Sequence, residues 1–445
     1  MIDTHNLKKR DLYLNKMIAF QDSEPVKVVT GMRRSGKSSL LKLMANHLKE
    51  SGIADEQILE MNFESYAFKN MNSDSLYDYV KQHVVSGKRM YLFFDEVQRV
   101  LNWEDAINAF RVDFNCDLYV TGSNAYMLSS EYATYLSGRY VEIKMLPLSF
   151  SEFLYFHDFE IKGTKSALGG THKQVFDKNG EHYDIREVFD AYMRFGGMPG
   201  IADVGLNQEK ALVLLDGIYS TVVMRDILER ENRRGQKRIT DPILLKKIVM
   251  FLADNIGSNI SVSSIGNTLV NEGLLEDGKH KGTPSAHTVQ AYVNALLESY
   301  FFYEIKRFDI KGKEFLRTLG KYYIVDIGLR NYLLGFRNRD SGHVLENIVY
   351  FELLRRGYDV SIGKVDNTEV DFIATKADDK IYIQVSESMM SEDVRKRELA
   401  PLQRINDNYE KIVLSMNTGM DSSYEGIKSL DLIDWLLSEA VEETL

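Results

Sequence analysis

Residues Gly31 to Ser38 read G-M-R-R-S-G-K-S and satisfy the spacing G-x-x-x-x-G-K-[ST]. Glycines at both ends of such a loop let the backbone wrap so that successive N–H groups face phosphate oxygens. The helix after the loop adds partial positive charge at its first turn. Gly31, Met32, Arg33, Arg34, Ser35, Gly36, Lys37, Ser38 and Ser39 are therefore the candidate nucleotide-binding residues. Lys37 is expected to reach the β and γ phosphates, and the Ser38 hydroxyl to ligate Mg2+. Arg33 and Arg34 lie inside the loop, where plain solvation competes with phosphate contact.

A phosphate loop needs a second element to complete the metal shell, and Y-L-F-F-D-E at Tyr91 to Glu96 has the required form. Four apolar residues make a buried strand, and two carboxylates come next at its carboxyl end, where α/β sheets place their ligands. Asp95 is expected to hold Mg2+, and Glu96 to orient and polarise an attacking water. The next apolar run, D-L-Y-V-T-G, ends at Ser123 and Asn124. Asn124 is the better candidate for sensing the γ-phosphate, because its amide donates to phosphate and to water alike. Arg139, in S-G-R-Y just before the strand Val141 to Met145, is a candidate for stabilising charge on the transferring phosphoryl group, in cis or from a neighbouring subunit.

These residues need a scaffold, and the pattern from Val26 to about Met145 supplies one. Short β-branched or aromatic runs alternate with helical stretches, which predicts a mainly parallel sheet covered on both faces. Residues 150 to 240 read as helical, broken by turn-rich segments near 162–184. From Pro242 to about Gly335 three helices precede two strand-like runs around D-I-K-G-K, the order of a winged helix-turn-helix. The last hundred residues alternate helix and strand again: helix at Leu345 to Arg356, strands at Glu369 to Thr375, Ile381 to Val385 and Lys411 to Met416. The 445 residues are 44 % hydrophobic, enough for several cores, with 55 Lys plus Arg against 65 Asp plus Glu and a net charge of −10. That balance excludes a bulk polyanion coat and leaves a focused basic contact open. A single cysteine, Cys116, excludes an intrachain disulfide, and the chain shows no export segment or membrane span, so a cytoplasmic location is expected.

The loop after V-K-V-V-T, D-E-V-Q after the acid-bearing strand, V-T-G-S-N, L-S-G-R, P-L-S-F-S-E-F at Pro147 to Phe153 and G-G-M-P at Gly196 to Pro199 resemble bacterial and archaeal AAA-type ATPases. More narrowly the chain is similar to the AAA_14 ATPases that carry a C-terminal DUF4143 domain. The resemblance implies ATP with Mg2+ and an additional-strand, conserved-glutamate P-loop fold. It also implies a winged helix and a terminal domain similar to restriction-endonuclease-like folds, while the helical pattern of 150–240 reads as a lid. The expected division is 1–146 for the P-loop ATPase core and 147–240 for the lid. The winged helix then takes 241–336, and the DUF4143-like domain 337–445.

A nuclease of that terminal fold needs acids on one strand and an acid-x-lysine on the next. Glu369 and Asp371, with Glu346 on the preceding helix, satisfy the first requirement, but I-Q-V-S places Gln384 and Ser386 where the carboxylate and lysine belong. An active nuclease is not expected. The basic stretches Arg233 to Lys247 and Lys306 to Arg317 are the candidate DNA or RNA contacts. Two readings stay open: a Mg2+-dependent ATPase whose hydrolysis switches the C-terminal domains for a protein partner, alone or as an oligomer, and a nucleic-acid-binding module in which ATP is regulatory and turnover negligible.

Overall fold

The computed structural model describes residues 7–125, 138–165, 171–228, 239–271, 284–337, 340–418 and 422–438. The chain divides into two compact units: unit 1 is Met1–Pro147 with Glu298–Tyr300, and unit 2 is Leu148–Leu297 with Phe301–Leu445.

Unit 1 is built on five parallel strands: β1 (Val26–Thr30), β2 (Ile58–Asn62), β3 (Met90–Asp95), β4 (Cys116–Gly122) and β5 (Tyr140–Lys144). Their order across the sheet is β2-β3-β4-β1-β5. Because strand side chains alternate between faces, Val29, Phe93 and Tyr119 face one layer while Val28, Phe94 and Val120 face the other. Helices α1 (Asp11–Ala19) and α2 (Lys37–Glu50) cover the first face, α2 through Leu40, Met44 and Leu48 spaced by one turn. Helices α3 (Ser73–His83) and α4 (Trp103–Asp113) cover the second through Leu76, Val80, Ile107 and Phe110. Each such Leu, Ile or Phe contributes roughly 1.5–3 kcal/mol through burial, so the sheet is anchored from both sides. The predicted α/β core is the observed one.

Unit 2 departs from the expected divisions in two ways. The turn-rich part of the predicted helical lid contains a three-stranded antiparallel sheet: β6 (Glu160–Lys165), β7 (Thr171–Phe176) and β8 (His182–Asp184). Among its described side chains only Val175 is fully buried, so the hydrophobic alternation that announces a strand is absent. Helix Phe150–Phe156 precedes it, helices Ile185–Phe195 and Gln208–Tyr219 follow it, and Ile185–Phe195 packs on β7 and β8. The second departure is the separate winged helix expected at 241–336. Helices Pro242–Asp254, Val262–Asn271 and Ala286–Glu298 do precede a hairpin, β9 (Phe302–Asp309) with β10 (Glu314–Ile324). The hairpin, however, is one edge of an eight-stranded sheet, because β9 pairs in parallel with β11 (Asp359–Val365). That sheet continues through β12 (Thr368–Lys376), β13 (Asp379–Ser388) and β14 (Glu410–Asn417), and ends with β16 (Ile427–Asp431) and β15 (Ser423–Tyr424). A helix, Ser341–Arg355, leads into β11, and Glu392–Gln403 links the parallel pair β13 and β14.

Between the helices of unit 2, the G-G-M-P segment makes a close approach. Gly196 has φ +76°, and a Cβ there would lie 2.3 Å from Asp326 Oδ1. Asp326 is buried and accepts from the Gly197 N–H at 2.6 Å and the Leu329 N–H at 3.1 Å, so it ties this turn to helix Ile327–Leu334.

Candidate functional site

Parallel strands deliver their carboxyl ends to one edge of the sheet, and in unit 1 the sequence motifs gather there. The phosphate loop leaves β1, whose last residue Thr30 pairs with Gly122 of β4. Gly31 has φ +135°, and a Cβ there would lie 2.1 Å from the Met145 carbonyl oxygen, so only glycine fits. Gly36, in the left-handed region, precedes the first residue of α2. Lys37 Nζ, although buried, donates to the carbonyls of Gly31 and Met32, each at 3.1 Å, and lies 3.9 Å from Glu96 Oε1. Burial pulls its pKa below the ordinary lysine value, while Glu96 and Asp95 pull it up. The Ser35 hydroxyl is buried with no hydrogen-bond partner among the described residues. Arg34 is exposed, and Ser38 and Ser39 open α2.

Asp95 ends β3 directly beside β4, where three side chains hold its carboxylate. Thr121 donates to Oδ1 at 2.6 Å, Asn62 to Oδ2 at 2.9 Å, and the Ser38 hydroxyl donates as well. Burial raises the Asp95 pKa, and the Thr121 and Ser38 hydrogen bonds hold it down. Glu96 is next, in the left-handed conformation, φ 57°, a backbone cost that its surroundings sustain. Its N–H donates to Thr121 Oγ1 at 2.9 Å, and its carboxylate accepts from Ser123 at 3.0 Å and Gln98 at 2.5 Å. Thr121 thus serves both acids at once. Two hard oxygen donors, the Ser38 hydroxyl and the Asp95 carboxylate, share one spot beside a phosphate loop. That donor set suits Mg2+, which takes one or two protein ligands and completes its shell from phosphate and water.

Thr121 and Asn62 escape the sequence reading. The polar end of D-L-Y-V-T-G is visible, but which polar residue meets the acids depends on strand order, which no local pattern carries. Ser123 is the β4-side residue that touches Glu96; Asn124 comes directly after it, half-buried. Arg139 is not brought to the loop. Its carbonyl accepts from the Val26 N–H at 2.9 Å, at the start of β1 and β5, so it stands about one five-residue strand, roughly 16 Å, from the phosphate edge. The expectation that Arg139 serves its own chain's site is corrected by strand direction.

Elsewhere the expected basic contacts are occupied only in part. Of the basic run Arg233 to Lys247, residues 233–238 lie outside the described residues. In the hairpin, Arg307 pairs with Glu369, and Lys311 with Asp366 at 2.7 Å, while Lys306 and Lys313 are exposed. The terminal acids form a buried cluster. Lys321 of β10 donates to Glu346 at 3.2 Å and lies 3.9 Å from Asp371. Gln384 donates to Glu398 at 3.0 Å, and the Ser386 hydroxyl to the Ser388 carbonyl at 3.2 Å. Burial and the nearby Glu346 push Asp371 up to about 8. No helix among the described residues is long and apolar enough to cross a membrane.

A parallel sheet in this order, with its phosphate loop after β1 and its acids after β3, defines a P-loop ATPase domain. Residues 23–154 match the AAA domain family AAA_14, and residues 186–340 match a domain of unknown function, DUF8612. The expected DUF4143 domain is corrected by that second match. Most of the motifs carrying the resemblance lie within the ATPase domain and say little of the chain beyond it. Over 432 residues, 96 % of this chain and 98 % of its relative, the sequence is 38 % identical to an uncharacterized protein of Haemophilus influenzae, and the chain belongs to the same family. An uncharacterized protein of Methanocaldococcus jannaschii is 29 % identical over 96 % of this chain and 90 % of its own. Among solved structures, the Walker-type ATPase PABY2304 of Pyrococcus abyssi has a TM-score of 0.48 and 15 % identity, over 74 % of this chain and 96 % of that one.

Proposed function

We propose that unit 1 binds ATP with Mg2+ and hydrolyses it. The observation that carries this reading is the shared anchoring of Asp95 and Glu96 on Thr121, beside a buried Lys37 and an orphaned Ser35 hydroxyl. In this reading the loop N–H groups and Lys37 bind the phosphates, and Ser35 donates its spare hydroxyl to them. Ser38 and Asp95 would hold Mg2+, which would supply Lewis-acid charge to the phosphates. Glu96 accepts a proton from water as the water oxygen bonds to the γ-phosphorus. The bond from that phosphorus to the β–γ bridging oxygen breaks, and ADP, inorganic phosphate and the proton leave. Ser123 and Gln98 keep the Glu96 carboxylate oriented, and Asn124, next in sequence to Ser123, is the candidate for following the γ-phosphate.

The same reading extends to a switch. Arg10, buried at the start of α1, donates to the Ser35 carbonyl at 3.1 Å, the Leu146 carbonyl at 2.8 Å and the Pro147 carbonyl at 3.3 Å. One guanidinium therefore joins the phosphate loop to the last residues of unit 1, from which the chain passes into unit 2. A loop that reshapes around nucleotide acts on that exit.

The test is paired substitution. Glu96→Gln is expected to bind ATP as the parent does while turnover falls by orders of magnitude, and Lys37→Ala to lose ATP affinity. Parental turnover in Glu96→Gln refutes the assignment of the base. The nuclease reading finds no support in a cluster whose acids are buried and served by Lys321.

A further inference from the structure

The loops leaving β1, β2 and β3 are joined by an arrangement that the ATPase reading leaves unused. Arg33, inside the phosphate loop, donates to Glu64 Oε1, and Arg99, three residues after Glu96, donates to the same oxygen at 3.0 Å. Two guanidinium groups thus share one carboxylate oxygen. Glu64 is itself positioned: its N–H donates to Asn62 Oδ1 at 2.8 Å, while the Asn62 amide donates to Asp95. The Phe63 N–H, between them, donates to the Asp95 carbonyl at 3.0 Å. The turn Asn62-Phe63-Glu64 therefore grips the end of β3 with two residues, Asn62 and Phe63, and holds Arg33 with the third.

The charge of Arg33 already reaches the phosphate-binding lysine, since it is among the groups that repel the Lys37 ammonium. Its side chain is 17 % exposed and sits on the loop that wraps the phosphates, whereas Arg139 stands at the far edge of the sheet. Hydrolysis gathers negative charge on the bridging oxygen as its bond to the γ-phosphorus breaks, and on the equatorial oxygens. A dianionic γ-phosphate competes with a carboxylate that is already divided between two arginines. A bidentate guanidinium–phosphate pair is among the stronger charge-assisted contacts.

Building on the ATPase reading, we propose that Arg33 is the arginine of this site, held by Glu64 and transferred to the γ-phosphoryl oxygens as charge develops there. No proton or electron passes through it. Arg33 neutralises charge, and Glu64 with Arg99 is its resting partner.

The experiment uses the full chain with Mg2+ and measures steady-state turnover, binding of a fluorescent ATP analogue, and binding of ADP with and without aluminium fluoride. Arg33→Ala is expected to lower kcat about 10²–10³-fold while ATP affinity stays within about threefold. Aluminium fluoride, which mimics the transferring group, should no longer tighten ADP binding in that variant. Arg33→Lys should recover part of kcat, because the charge returns without the planar fork. Glu64→Gln, which loosens the resting partner, should retain the fluoride enhancement. Turnover of Arg33→Ala within threefold of the parent overturns the proposal. So does a loss of kcat matched by an equal loss of ATP affinity with the fluoride enhancement intact, the pattern of a merely structural loop residue. A parent chain that binds ATP without hydrolysing it removes the ATPase reading itself, and that result is distinct from either failure of Arg33.

Discussion

Thr121→Val isolates the hydrogen bonds beneath the two acids. Valine matches threonine in shape, so in this fully buried position no cavity opens, and only the hydroxyl is lost. The geometry gives this loss two consequences. The Asp95 carboxylate loses its 2.6 Å donor, and the Glu96 N–H, which had donated to Thr121 at 2.9 Å, is left without that acceptor inside the protein. A hydrogen bond to a charged group contributes roughly 1.5–3 kcal/mol, and an orphaned buried donor costs about 1–3 kcal/mol. Allowing for their overlap, the net loss is about 3 kcal/mol, which for a domain of this size lowers Tm by about 6–12 °C. Scanning calorimetry of the full chain, tracking the transition that nucleotide shifts, measures it; Thr121→Ser keeps the hydroxyl and serves as the comparison. Turnover should fall by about a hundredfold as Glu96 loses its fixed position. A Thr121→Val protein melting within about 2 °C of the parent, below about 1 kcal/mol, refutes the claim that this hydroxyl organises both acids.

Two further predictions concern unit 2. Burial lifts Asp326 to about 6, with the Gly197, Leu329 and Gly328 N–H groups holding it down, so the folded chain binds this proton more tightly than the unfolded one. Its contribution is complete below about pH 4 and is lost as pH rises through about 6; relative to Asp326→Asn, the parent should lose about 3 kcal/mol between about pH 3 and about pH 7, and a pH-independent difference in urea midpoints contradicts it. Lys321→Met leaves Glu346 and Asp371 buried without their shared cation and should cost about 3–5 kcal/mol. Adding Glu346→Gln should recover more than half, and a single variant within about 1 kcal/mol of the parent rules the ion pair out as a structural element.

The sequence carries the ATPase domain because its signals are local. A β-branched run, a glycine loop and an apolar strand ending in two acids each report the conformation of their own segment. Helix α2 is legible in full, since Leu40, Met44 and Leu48 mark its buried stripe and the loop glycines mark its start. Unit 2 is less legible for two physical reasons. Strands β6 and β7 bury little, so they lack the alternation by which strands are found. The hairpin β9–β10 reads as a free wing because nothing in its own residues records that β9 pairs with β11, about fifty residues later. That pairing also explains why Lys321 stands among acids from β12 and helix Ser341–Arg355, an arrangement that spacing on β13 alone does not reveal.

The placement of Arg139 away from its own phosphate edge and the oversight of Thr121 have one cause. Thr121 lies on β4 and Arg139 just before β5, the two strands flanking β1, and both are polar residues next to glycine, so composition ranks them alike. Strand direction separates them. Thr121 is at the exit of β4, wedged between β1 and β3, where it must meet whatever leaves those strands. Arg139 is at the entrance to β5 and faces the opposite edge. In a parallel sheet the strand exits share one edge and the entrances the other, so among the loops of this sheet those that leave a strand at its carboxyl end are the ones that bring an arginine to the phosphate edge. Arg33, after β1, and Arg99, after β3, both satisfy that condition, and both converge on Glu64, after β2.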